Sequence, residues 1–248
     1  MLDILFMLAI WWAPVLLIIG FLALRGKTEV SAPWLVASIA FYAIYVAAVF
    51  SGFHIPGFEA AFGETQYNWS GKLLAIATSA VMIVATVKSS KNLSFADAGL
   101  TFRQREGSVG PALIAIALMI AFIIGLQMLA NDGTGLDTET LIYQATVPGI
   151  DEELMFRGLL LLGLSMAVTG KTWNLWGAPV GWAAILVTLF FALGHSIMVT
   201  DGALQTSVIA MIYTAILGWA LMWIRLRTGS ILLPIIAHNA TNFTGQFF

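Results

Sequence analysis

Asp151-Glu152-Glu153-Leu154-Met155-Phe156-Arg157-Gly158-Leu159-Leu160-Leu161-Leu162-Gly163-Leu164 sets three acids and an arginine at the head of an apolar run. In a soluble protein this would be the start of an ordinary core helix. Composition decides otherwise. The chain has 248 residues, of which 60% are hydrophobic and 10% charged, with a mean hydropathy of +0.92. Soluble domains carry about 25% charged residues, so the segment belongs to a polytopic membrane protein. Within a bilayer each charged side chain at a helix centre costs roughly 2.5–3.5 kcal/mol on insertion. Glu152, Glu153 and Arg157 therefore call for a function, as do His195, His238 and Asn242 in later apolar runs.

Working outward, apolar runs of about 20 residues, each able to cross ~30 Å of hydrocarbon, fall near 4–24, 33–52, 73–87, 109–130, 150–169, 180–199, 205–224 and 229–247. The third is long enough only if Gly71 and Lys72 extend it. The expected fold is all-α, with about eight transmembrane helices around a polar intramembrane cavity. A single integral membrane domain is expected over 1–248, with N-terminal helices in 1–130 and a motif-bearing core in 148–245. Pro148-Gly149 predicts a helix break that leaves 141–147 as a separate element. Ser90–Leu100 reads as a short amphipathic helix on the anionic leaflet. The first run follows Asp3 and precedes Arg25 and Lys27, the flanks of a retained helix rather than a signal peptide.

Arg25, Lys27, Lys88, Lys91, Arg103, Arg105, Lys171, Arg225 and Arg227 all fall in loops on one side of this layout. Asp3, Glu59, Glu64, Asp132, Asp137, Glu139 and Asp201 fall on the other. The positive-inside rule then predicts a multi-pass cell-membrane protein with both termini outside the cytoplasm. No basic patch suggests nucleic acid. The absence of cysteine excludes thiol catalysis, thiolate-bound metal and disulfides.

The polar residues suit amide hydrolysis. Glu153 and Arg157 stand four apart and can pair on one helix face, which leaves Glu152, about 100° away, free to face a cavity as a general base. Glu152 with His195 can bind and deprotonate a water, while His238 and Asn242, four apart on one face, can stabilise the oxyanion. Other protease chemistries lack their residues: there is no G-x-S-x-G elbow, no H-E-x-x-H and no pair of intramembrane aspartates. Glu152, His195 and His238 would form a His₂Glu set if a metal were used. The expectation is no cofactor, with a divalent metal as the unfavoured alternative. Gly158 and Gly194 read as points of close helix approach.

Glu152-Glu153-x-x-x-Arg157, Phe191-x-x-x-His195 and His238-x-x-x-Asn242, in this order on membrane helices, resemble the type II CAAX prenyl endopeptidase and bacteriocin-processing (CPBP) family of intramembrane proteases. The resemblance covers roughly residues 148–245. It implies a helical membrane fold with a water-filled cavity, in which Glu152 and His195 activate water and His238 and Asn242 form the oxyanion hole. The implied partners are membrane lipids and a protein or peptide substrate, lipidated or membrane-anchored. The loop charges put Glu152 and His195 near the outer face and His238 nearer mid-membrane, which favours a translocated substrate over a prenylated cytoplasmic one. Two other classes compete: a non-enzymatic bacteriocin-immunity or scaffold protein that keeps the cluster for structure, and a transporter, for which no inverted repeat is visible.

Overall fold

A computed structural model describes residues 2–130, 136–200 and 202–247. Asp132 and Asp201, counted above among the outer acids, lie outside the described residues, as does the side chain of Glu59. In chain order the helices are α1 (Leu2–Leu24), α2 (Ala32–Ser51), α3 (Phe58–Phe62), α4 (Trp69–Ser89), α5 (Val109–Ala130), α6 (Thr138–Glu152), α7 (Leu161–Ala167), α8 (Trp182–Ser196), α9 (Val208–Thr228) and α10 (Leu232–Thr244). A π-helix, Glu153–Leu160, joins α6 to α7. Among the described residues a 3₁₀ turn (Gly52–His54) and three short antiparallel strand pairs, which the apolar pattern does not suggest, complete the fold. The pairs are β1 (Thr28–Val30) with β2 (Val168–Gly170), β3 (Trp173–Leu175) with β4 (Ala178–Val180), and β5 (Ile197–Thr200) with β6 (Ala203–Thr206).

The protein is a polytopic helical membrane protein, in which α1, α2, α4, α5 and α9 are long and apolar enough to cross a bilayer. On α5, Leu113, Ile114 and Leu118 point outward, as side chains facing lipid would. Eight full-length spans are not seen among the described residues. At 15 and 13 residues, α8 and α10 extend only about 22 and 20 Å at 1.5 Å per residue. An apolar run sets an upper bound on a helix but does not mark where it stops. The fifth expected span is the composite of α6, the π-helix and α7. Gly71 and Lys72 do extend the third, because Asn68 caps α4: its side chain accepts from the Gly71 amide at 2.9 Å and donates to the Val49 carbonyl at 2.9 Å.

Pro148 does not break its helix. The Gly149 amide donates to Asn239 Oδ1 at 2.8 Å, and Asn239 Nδ2 donates to the Thr146 carbonyl at 3.0 Å. A side chain from α10 thus replaces ladder bonds disturbed by the proline, as buried irregular backbone requires. A Cβ on Gly149 would lie 2.5 Å from Asn239 Oδ1, so only glycine allows this approach. Gly158 and Gly194 are not such points, since a Cβ at either would meet neighbours at ordinary distances of 3.4 and 3.6 Å.

Arg225 is not a loop charge. It is buried in the last turn of α9 and donates to the carbonyls of Arg157 at 3.1 Å and Asp97 at 3.0 Å. The same contact explains why Ser90–Leu100 is a set of turns rather than a surface helix. Asp97 Oδ2 accepts from the Ser94 amide at 2.8 Å, Gly99 takes φ +74°, and the segment docks on Arg225. Other basic loops meet at this end of the bundle. Arg105 Nη1 donates to the Leu226 carbonyl at 2.7 Å, and Thr28 on β1 pairs with Gly170 on β2, bringing the segments of Lys27 and Lys171 together. The main core joins α1, α2 and α4 to the π-helix and α8, with Tyr42 and Phe190 edge to face at 4.5 Å.

Candidate active site

Glu153 and Arg157 are wholly buried and bonded at 3.0 Å. The other guanidinium nitrogen, Nη2, donates to the Gly218 carbonyl on α9 at 2.9 Å, and the group lies 4.3 Å from the Phe191 ring centroid. A Cβ at Gly218 would stand 2.8 Å from Phe191, so this glycine, unremarked in the sequence, admits the arginine. Glu153 Oε1 also meets His238 Nδ1 at 2.9 Å. The carboxylate paired with Arg157 can only accept, so Nδ1 carries the proton.

Glu152 has two unlike oxygens. Oε1 accepts from Lys72 Nζ at 2.9 Å. Oε2 is buried without a hydrogen-bond partner and faces His195 Nε2 at 3.4 Å and His238 Nε2 at 3.9 Å. His195 Nδ1 lies 2.8 Å from the Phe191 carbonyl, which fixes the proton on Nδ1 and turns Nε2 toward the carboxylate. A cavity of about 140 Å³ opens here, lined by Glu152, Phe191, His195, Thr214, His238 and Asn242 among others. The six residues singled out in the sequence are thus brought together: four line the cavity, and Glu153 with Arg157 lies behind His238. The three side chains of Glu152, His195 and His238 meet at one level, not at the separate depths expected from the layout.

Lys72, left without a partner in the reading of the sequence, is part of the site. Its ammonium lies 2.6 Å from Asp151 Oδ2 and 2.9 Å from Glu152 Oε1, and Tyr45 Oη donates to the same Asp151 oxygen at 2.7 Å. Two signals were present: a lysine in an apolar helix needs a partner, and Arg157 can satisfy only one of three consecutive acids. At the mouth of α6, Glu139 accepts from the amides of Gln66 and Tyr67 and from the Trp69 indole. Burial pushes its carboxyl up, but these donors outweigh that and hold it below the usual glutamate range.

Residues 135–244, from just before α6 to the end of α10, match the family described as type II CAAX prenyl endopeptidase Rce1-like. These residues are an Rce1-like type II CAAX prenyl endopeptidase domain. The family supports an intramembrane protease, hence a peptidase. The Rce1-like domain holds Glu152, Glu153, Arg157, His195, His238 and Asn242, whereas Lys72 and Tyr45 reach it from helices outside the matched region. No curated protein and no solved structure matches the chain.

Among the described residues no group of three or more His, Asp or Glu side chains is placed to hold a metal ion. The nearest approach to such a set is Glu152 Oε2 with the two Nε2 atoms. Lys72 on the other oxygen already supplies Glu152 with a cation.

Proposed function

We propose that the protein is an intramembrane endopeptidase that hydrolyses a peptide bond of a membrane-associated protein with a water activated by Glu152. The observation that carries this reading is the buried, unpartnered Oε2 of Glu152, which faces two histidines across a cavity. Asp151 Oδ1 and Glu153 Oε2 are also buried and unbonded, but of these three acids Glu152 lines the cavity, where its open oxygen is suited to accept a proton from a water held there.

The water donates one hydrogen to Glu152 Oε2 and the other to His195 Nε2, whose lone pair is free because Nδ1 is bonded to Phe191. Its oxygen attacks the scissile carbonyl as Glu152 takes the first proton. The oxyanion then accepts hydrogen bonds from Asn242 Nδ2 and from His238 Nε2. Because Nδ1 of His238 already donates to Glu153, donation from Nε2 requires the imidazolium form. Glu153 lies against that ring, and Arg157 holds Glu153 in place. Collapse of the tetrahedral intermediate passes the proton from Glu152 to the departing amine, and glutamate is regenerated. The substrate reaches the site from the face opposite the basic loops, the face that also carries both termini of the protein; the meeting of the Arg105, Lys27 and Lys171 segments at one end of the bundle supports this orientation.

Mass spectrometry of protein termini, in membranes and medium of cells that make equal amounts of wild type or Glu152→Gln, tests the reading. New termini that depend on Glu152 are expected. Identical termini would instead support a non-enzymatic scaffold held together by its buried ion pairs.

A further inference from the structure

The cavity at Glu152, about 140 Å³, is below the roughly 300–1,000 Å³ of ordinary ligand pockets. It accommodates a scissile amide and a water, and a protein substrate needs further room. A second cavity of about 360 Å³ lies between α5, α6, α9 and α10. The two share Tyr213, Thr241 and Asn242 in their walls, so they meet at the proposed oxyanion donor. The lining of the second is otherwise rich in amides: Gln127 on α5, Gln144 on α6, and Gln246 just after α10.

We infer that this second cavity is the subsite that receives the substrate chain on one side of the cut, and that it takes an extended, uncharged peptide by its main chain. The inference rests on the proposed protease activity and adds a substrate class to it.

Three features carry it. Among the described residues none that lines the cavity is charged, so a charged side chain or a terminal carboxylate there would lose its hydration without an ionic partner from them. Two of the amides are fixed in orientation: Gln127 Nε2 donates to the Gly245 carbonyl at 2.7 Å, and Gln246 Nε2 donates to the Asn242 carbonyl at 3.0 Å. That leaves their Oε1 atoms as acceptors for peptide N–H groups, and an amide offers both donor and acceptor to main chain of any sequence. Finally, Gln144 stands eight positions before Glu152, about 12 Å along α6. An extended chain covers that distance in about three to four residues at 3.3–3.6 Å each. Gln144 thus reads the third or fourth residue from the cut.

The test uses full-length protein in proteoliposomes and two pools of capped random decapeptides. One pool is built from Ala, Ser, Leu, Val, Gln and Phe, and the other adds Lys and Asp. Wild type is expected to cut the uncharged pool, and a charge at the third or fourth residue on one side of the cut should lower cleavage by more than tenfold. Gln144→Lys should relieve the exclusion of Asp at that position, and Gln127→Glu serves as the second variant if Gln144→Lys does not accumulate. Cleavage with equal tolerance of charge, unchanged in the variant, would overturn the inference while leaving the protease reading intact. If neither pool is cut, the protease reading is what suffers, and binding decides the cavity. Gln144→Cys, in this cysteine-free chain, is labelled with a water-soluble maleimide in a Glu152→Gln background. Slower labelling in the uncharged pool supports the subsite, and an unchanged rate overturns it.

Discussion

The two flanks of Glu152 differ in how completely they are bonded. On one, α2, α4 and α6 bring Tyr45, Lys72 and Asp151 into a chain of contacts, 2.6–2.9 Å long, that ends on Oε1 and leaves Asp151 Oδ1 unbonded. On the other, α8 and α10 bring His195 and His238 to 3.4 and 3.9 Å from Oε2, too far for good hydrogen bonds and with a cavity between. The difference teaches that a reactive carboxylate in lipid needs a saturated side as much as an open one. Lys72 offsets the cost of burying the charge and fixes the group's orientation, so that the second oxygen can stay unbonded without the site collapsing.

Substitutions on each flank should separate chemistry from folding. On the open flank, His195→Ala is expected to lower cleavage of a substrate found by terminus mapping by about 10²–10⁴-fold. Its melting temperature in detergent should stay close to wild type. On the closed flank, Lys72→Met leaves two buried carboxylates facing each other and should cost about 3–5 kcal/mol of stability. Thermal melts of that variant and of Lys72→Met with Asp151→Asn check the cause, because the double variant should recover part of the loss. Asn242→Ala returns to the open flank: kcat should fall about 10²–10³-fold with KM little changed, and an equal rise in KM would place the residue in binding instead. Asn239→Ala, next to His238 but bonded through its side chain to the α6 backbone, should cost about 1–3 kcal/mol by leaving the Gly149 amide and Thr146 carbonyl unpaired.

The smallest effect concerns the clamp at Glu139. Its carboxyl sits below the ordinary glutamate range, so the contribution is present above about pH 4 and fades as pH falls through the lowered value. Protection of the Gln66 and Tyr67 amides, relative to their intrinsic exchange rates at each pH, should fall only in acid, and Glu139→Gln should abolish that dependence.

Much of the site was legible because its signals are local. Glu153 with Arg157, and His238 with Asn242, stand four apart on helices, and that spacing fixes a shared face before any tertiary contact is known. The closed flank was not legible because Lys72 and Asp151 are 79 residues apart and nothing in either segment names the other. Pro148 misled for a related reason: a proline predicts a break from its own backbone, and the compensating Asn239 arrives from a distant helix. Membrane character followed from composition, whereas the ends of α8 and α10 did not, since the apolar residues continue past them into other conformations.

The brevity of those two helices bears on the bilayer itself. A hydrocarbon core of about 30 Å exceeds α8 and α10 by roughly 8–10 Å, and both carry a histidine of the site. Lipids beside them must shorten or tilt, since β5–β6 and the chain after α10 offer main-chain polar groups that acyl chains cannot satisfy. Where lipid meets these short elements, mismatch is expected to draw headgroups and water toward Glu152, and longer-chain lipids should then slow turnover.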